Sequence, residues 1–304
     1  SVSSGAWNNS TTWSPAGVPG STDNVTISTG HTVTLTDNRS CNNLTIHGFL
    51  QIQASDFTVN GTTTISGTLH DNNANGSDIF YGPVIVNPGA TWNTLIVNSS
   101  SRMRFHADIL NNTDTMHFGA LGVYANLEIS GTGALKTYNF NFNFNGIAVT
   151  NKSTVIILYN LNALNGSSTW INDEGSVLAS EATSLLMGNG TLIASSANNT
   201  VIYSGNYDQP IKIPLGSVYY NLTISRSGTK TLQANTTILN NLTINDSATL
   251  LCNKFNITGS PTGQLTMTEG TTLRIGDTTL ATGNTFPVLL ASFQVIFPSI
   301  LLAQ

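Results

Sequence analysis

The stretch YYNLTISRSGTKTLQANTTILNNLTI, Tyr219 to Ile244, writes Asn-Leu-Thr-Ile at Asn221 and writes it again at Asn241. Leu and Ile alternating with Asn and Thr give the two-residue period of a half-buried strand. A strand restated after twenty residues marks a repeat architecture, in which each coil lays its strand about 4.8 Å above the last, in parallel. Leu222 and Ile224 are then expected to point inward and stack on Leu242 and Ile244, with Thr223 and Thr243 facing outward. Asn221 and Asn241 fall at a corner, where Asn tolerates a left-handed backbone and can hydrogen-bond its counterpart one coil on. Thr231-Leu232-Gln233, Thr237-Ile238-Leu239 and Leu250-Leu251 supply the other sides of the coil. The predicted fold is all-β, a right-handed parallel β-helix (β-solenoid) with about twenty-residue coils.

Working outward, strands of the same character recur along the chain, separated by Gly, Asn and Ser. They are read at Asn24–Ser28, Thr32–Thr36, Asn43–His47, Thr62–Ser66, Pro83–Asn87, Thr94–Asn98, Asn126–Ser130, Thr154–Tyr159, Thr200–Ser204 and Gln264–Thr268. No comparable window keeps a 3.6-residue apolar period, so long helices are not expected. Asn-Gly pairs at Asn60, Asn75, Asn145, Asn165 and Asn189 leave hairpins open, and the repeat decides for coils. In TyrAsnPheAsnPheAsnPheAsnGly, Tyr138 to Gly146, the Phe face is expected to pack inward, since three exposed Phe would make a large apolar patch.

Composition agrees. The chain of 304 residues carries 37 Asn, 43 Thr and 31 Ser, while only 8% is charged, against about 25% in ordinary soluble domains. Thr favours strands and Asn, Ser and Gly favour turns. A narrow apolar core under a long neutral polar surface uses residues in this proportion. With a net charge of −5 and ten scattered basic residues, no electrostatic footprint for a nucleic-acid backbone exists.

Cys41 and Cys252 lie about ten coils apart on this reading, beyond the ~7 Å reach of a disulfide, and should be free and buried. No signal peptide opens the chain, and the composition favours one having been removed. The apolar FPVLLASFQVIFPSILLAQ, Phe286 to Gln304, is interrupted by Pro287, Ser292, Gln294 and Pro298 and barely reaches the ~20 residues a membrane helix needs. Two buried strands fit it better than a membrane span.

Candidate chemistry is sparse. RMRFHAD, Arg102 to Asp108, is the one dense charged cluster, and Arg102, Arg104, His106 and Asp108 fall on one face of a strand. Such a face could meet an acidic polysaccharide. A glycosidase needs two opposed carboxylates, and a lyase of this fold usually adds a carboxylate cluster for calcium; Asp173-Glu174 is the lone adjacent acidic pair. His31, His47, His70, His106 and His117 lack zinc-enzyme spacing, and no calcium repeat, EF-hand loop or Gly-x-Ser-x-Gly occurs. No cofactor, metal or catalytic residue is expected. Asn-x-Ser/Thr, as at Asn24, Asn43, Asn221 and Asn241, is what a corner followed by a strand produces anyway. Thr115, Ser247 and Thr278 each follow Asp and resemble acceptors of bacterial O-glycosylation.

GAWNNSTTWSPAGVPGSTDNVTISTGHTVTL, Gly5 to Leu35, resembles the entry module of large secreted β-helix proteins. Tyr219 to Leu250 and TTLRIGDTTLATGNTFP, Thr271 to Pro287, resemble repeats of giant surface adhesins of gliding Bacteroidetes. The resemblance covers residues 5 to 50 and 200 to 290. It implies secretion by the type IX route, extracellular display on the cell surface and adhesion, in gliding motility among other settings. A surface or polysaccharide ligand, and secretion or motility machinery, are the partners it implies; it carries over no catalytic residue. Residues 1–40 are expected to form a capping region, with Trp7 and Trp13 closing the first coil. Residues 41–304 form the solenoid repeats, and these are expected to continue into a longer chain because an uncapped end exposes a strand edge. The alternative is a β-helix protein that binds or degrades polysaccharide through the Arg102–Asp108 segment.

Overall fold

A computed structural model describes residues 1–53, 56–72, 77–94, 102–113, 116–118, 120–137, 141–275 and 294–296; side chains at 94, 102, 117, 118, 120, 121 and 294–296 lie outside the described set. The protein is an all-β solenoid of about 11 turns with roughly 21-residue spacing and about 2% helix. Among the described residues the helical ones are two 3-10 turns, Ser10–Thr12 and Leu215–Ser217. The chain divides into two compact units, Ser1–Leu158 and Tyr159–Gln304.

In the first unit each coil passes through three sheets in turn, and every described pairing is parallel. The first sheet runs Val25–Ile27, Leu44–Ile46, Thr63–Ile65, Val84–Val86, Ile109–Asn111, Leu127–Ser130 and Ala148–Asn151. The second starts at Gly5–Ala6 and Thr32–Leu35 and rises through Phe49–Ile52, Thr68–Asp71 and Thr91–Thr94 to Thr154–Ile157. The third runs Arg39–Cys41, Phe57–Val59, Ser77–Phe80, Arg102–Phe105, Ala120–Val123 and Asn141–Phe144. Coils approach closely enough that a Cβ on Gly67 would sit 2.1 Å from the Gly48 carbonyl oxygen, so a side chain there cannot be accommodated without moving a coil.

The second unit repeats the scheme. Leu222 pairs with Leu242 and Ile224 with Ile244; all four are buried, while Thr223 and Thr243 are half-exposed. Burying each such side chain is worth about 1.5–3 kcal/mol, so a coil gains most of its stability from these inward columns. Thr229–Thr231, Thr249–Leu251 and Thr272–Arg274 form another face, and Val218–Tyr219, Thr236–Ile238 and Ile257–Gly259 a third.

The expected strands are largely present. A strand runs Thr91–Thr94; of the reading at Thr94–Asn98, residues 95–98 lie outside the described residues. Phe142 and Phe144 are buried as expected, while Phe140 lies outside the described set. Cys41 and Cys252 are free and buried, and burial pushes both thiols up to about 12. Trp7 is fully buried, edge-on to Trp13 at 5.1 Å and to Phe57 at 5.4 Å. Gln294–Ile296 pairs in parallel with the Gln264–Met267 strand; the remainder of Phe286–Gln304 lies outside the described residues. No helix among the described residues is long and apolar enough to cross a membrane.

The corners differ from expectation in one respect. Asn221 and Asn241 are not left-handed; positive φ falls instead on Asn198, Arg226, Asp246, Ser247 and Asn253, among others. Asn221 and Asn241 work through their side chains in extended backbone. Asn221 Oδ1 accepts the Asn241 N–H at 3.1 Å, and Asn241 Oδ1 accepts the Gln264 N–H at 3.1 Å. The same bond recurs at other corners: Asn24 to Asn43, Asn43 to Thr62, Asn38 to Asp56, Asp56 to Ser77, Asn126 to Ala148, Asp208 to Thr229 and Asn235 to Asn256. In each case a side-chain oxygen just ahead of a strand accepts the N–H at the same place one coil on. The backbone ladder is thereby extended around the bend, and the corner N–H gains a partner within the protein.

Candidate functional site

The Arg102–Phe105 strand sits in the third sheet of the first unit, and the chain turns at His106 before entering the first sheet at Ile109. Arg104 and His106 lie together, since both reach Tyr124, whereas Asp108 lies past the bend, just ahead of the first-sheet strand. The Arg102 side chain lies outside the described residues. Arg104 occupies an outward position, and its Cζ lies 5.7 Å from the Tyr124 ring centroid, within cation–π range. Gly122 makes room for that ring, since a Cβ there would meet Tyr124 at 2.8 Å.

His106 is the middle rung of an aromatic stack. Its ring lies 4.6 Å from Tyr81 and 5.3 Å from Tyr124, the latter at an interplanar angle of 20°. Each of the three residues follows a third-sheet strand in successive coils, which is why they align. Tyr81 is 48% exposed and Tyr124 49%. Burial first, and the Arg104 charge second, hold the His106 imidazole below its usual range, favouring the neutral ring at physiological pH. Sequence reading found His106 and Arg104 and missed both tyrosines. The available signal was their common offset, one residue past each third-sheet strand.

Asp108 has a structural occupation. Its Oδ1 accepts the Glu128 N–H at 2.8 Å, the corner bond that Asn makes elsewhere. Glu128 in turn pairs with Lys152 at 2.7 Å. Asp173 and Glu174 belong to the second unit, at a turn where Ser176 Oγ donates to the Asp173 carbonyl.

The chain matches no family model, no curated protein and no solved structure.

Other polar features are local. A cleft of about 300 Å³ near the chain start is lined by Asn38, Arg39, Ser40, Asp56 and Thr58 beside Pro19 and Gly20. Its cation, Arg39, is ion-paired with Asp37. Among the described residues no group of three or more His, Cys, Asp and Glu is placed to hold a metal. Ser247 is exposed on a left-handed corner; Thr115 and Thr278 lie outside the described residues. The Asn24, Asn43, Asn221 and Asn241 amides are engaged in corner bonds.

Among the described residues, the buried Lys and Asp side chains are Asp71, Asp78, Lys212 and Lys230. Lys230 is fully buried, and its Nζ donates to the carbonyls of Gly205 and Ser227 at 2.6 Å and of Tyr207 at 3.4 Å. Asp78 is buried beside Asp71, and burial, then the Asp71 charge, raise its carboxyl well above the usual carboxylate range.

Proposed function

We propose that the chain is a non-enzymatic structural and adhesive stalk segment of an extracellular cell-surface filament. The observation carrying this reading is the corner bond, repeated coil after coil, in which each turn fixes the register of the next through Asn and Asp side chains. A chain spent on such templating gains stiffness, and its outward Thr, Ser and Asn side chains offer many weak polar contacts. Individually weak sites hold a surface when engaged together. The resemblance of Gly5–Leu35 and Tyr219–Leu250 to secreted surface adhesins supports type IX export, with secretion or motility machinery as partner.

The Tyr81–His106–Tyr124 stack favours a second reading, a polysaccharide-binding module, because aromatic edges beside Arg104 suit sugar hydroxyls. One experiment separates the readings. Beads coated with the chain are expected to be retained on glass and polysaccharide surfaces, equally well with Arg102→Ala/Arg104→Ala. In parallel, neutral and acidic polysaccharides are incubated with the chain and assayed for new reducing ends and unsaturated products. Turnover that disappears in the double variant would overturn the adhesive reading.

A further inference from the structure

Arg39–Cys41 is the end strand of the third sheet. The segment ahead of it folds past that open edge and leaves the cleft of about 300 Å³. Ser40 and Thr58 line the cleft from outward positions in register with one another, each beside an inward residue that is fully buried, Cys41 or Val59. Asn38, Arg39 and Asp56 line it from the starts of the two strands, and Pro19 and Gly20 from the segment that passes the edge. That segment is fastened: the Pro19 carbonyl accepts from the Trp7 indole at 3.5 Å, the Gly20 N–H donates to Asp23 at 2.8 Å, and the Ser21 carbonyl accepts from the Asn60 amide at 3.0 Å. The cleft therefore has its shape before any ligand arrives, as ligand pockets usually do.

The scaffold uses one end of each polar group and turns the other toward this space. Asn38 Oδ1 accepts the Asp56 N–H at 2.9 Å, which leaves its amide NH₂ to donate. Asp56 Oδ1 accepts the Ser77 N–H at 2.7 Å, which leaves Oδ2 to accept. Arg39 binds Asp37 through Nε and one terminal nitrogen, and its other terminal nitrogen remains a donor. The Ser40 and Thr58 hydroxyls both donate and accept. Donors and acceptors thus alternate around the cleft. Its charge is unfavourable to anions, because Asp37 neutralises Arg39 and Asp56 adds a further carboxylate.

We infer that this cleft is a binding site for one uncharged sugar residue of a glycan. Sugar hydroxyls each donate and accept, which matches a lining of amide, guanidinium, hydroxyl and carboxylate groups better than a ligand of one polarity does. An apolar ligand would strand these groups, and a carboxylate, sulfate or phosphate would meet Asp56. The volume stands at the lower end of the ~300–1,000 Å³ of ligand pockets, room for a single residue and not for a chain. The site does not rest on the Tyr81–His106–Tyr124 stack, and it adds a discrete receptor to a flank that otherwise offers dispersed polar contacts.

The test uses the intact chain and the methyl glycosides of glucose, galactose, mannose, N-acetylglucosamine and glucuronic acid, each titrated in saturation-transfer NMR. At least one neutral glycoside is expected to bind saturably in the millimolar range, as a few neutral hydrogen bonds allow, and the glucuronide more weakly than it. Ser40→Ala/Thr58→Val removes two outward hydroxyls without touching the core, so the variant should unfold as the wild type does and bind about tenfold more weakly. Tyr81→Ser/Tyr124→Ser should leave the titration unchanged. Silence of every neutral glycoside across the millimolar range overturns the inference, as does undiminished binding by Ser40→Ala/Thr58→Val. Binding that disappears with the tyrosines would place the sugar on the stack and overturn the cleft, and tighter binding of the glucuronide would overturn the choice of an uncharged ligand.

Discussion

Lys230 in the second unit and the Asp71–Asp78 pair in the first are both charges set inside a coil, and the fold treats them in opposite ways. Lys230 is enclosed by the carbonyls of Gly205, Ser227 and Tyr207, a complete shell drawn from the protein's own backbone. Asp78 keeps a buried oxygen with no donor. The Lys230 carbonyls come from the turns at Gly205, Tyr207 and Ser227, whereas Asp78 sits within a strand, where it accepts the Phe57 N–H and is hydrogen-bonded to Asp71.

Lys230→Met tests the first half of this contrast and carries the largest expected effect. It keeps the apolar stem and deletes the donor, stranding the two carbonyls held at 2.6 Å. At about 1–3 kcal/mol for each buried acceptor left without a partner, a loss of about 3 kcal/mol is expected in urea unfolding. Asp78→Asn, which replaces a carboxyl whose ionised form burial disfavours, should be neutral or stabilising. If both variants lose the same amount, the contrast between the two buried charges fails.

A pH series sharpens it. Burial lowers the Lys230 amine from 10.5 to about 8, with Asp208 opposing and Arg226 adding to the shift. A group whose folded value is depressed contributes stability that is complete above its unfolded value and is lost as pH falls through the folded one. The stability of the wild-type chain relative to Lys230→Met should therefore improve between about pH 8 and pH 10.5. Comparing the two chains removes the contribution of Tyr203, which burial raises to about 12 in both. A flat difference would mean that the carbonyl cage holds the ammonium form as strongly as burial disfavours it.

The fold was legible because its period is short and its polar residues are few in kind. Leu222 and Ile224 announce the inward column, and Asn-Leu-Thr-Ile at Asn241 announces the next coil. The corner could have been read further than it was: an Asn at or one residue ahead of the start of a strand recurs at Asn24, Asn43, Asn126, Asn221 and Asn241. Of the two purposes expected of it, the hydrogen bond to the next coil is present and the left-handed backbone at Asn221 and Asn241 is not. The candidate site was less legible, since Tyr81, His106 and Tyr124 lie in three different coils and meet only through spacings that the intervening loops make unequal. Nor does an acid in a strand reveal its direction unless the turn beside it is known, which hid the Asp71–Asp78 pair.

Asp108 gives the smallest expected effect and separates the corner bond from chemistry. It was a candidate for polysaccharide contact, yet its Oδ1 accepts the Glu128 N–H at 2.8 Å in the manner of Asn126 with Ala148 at 2.8 Å. If only an acceptor is needed, Asp108→Asn should change unfolding free energy by less than about 0.5 kcal/mol, and Asp108→Ala should cost about 1 kcal/mol, the worth of one hydrogen bond. Retention of coated beads on polysaccharide should be unchanged with Asp108→Asn. Were that variant stable but poorly retained, the carboxylate charge would be acting on a ligand, and the exposed acid at this corner would differ in kind from the asparagines that share its geometry.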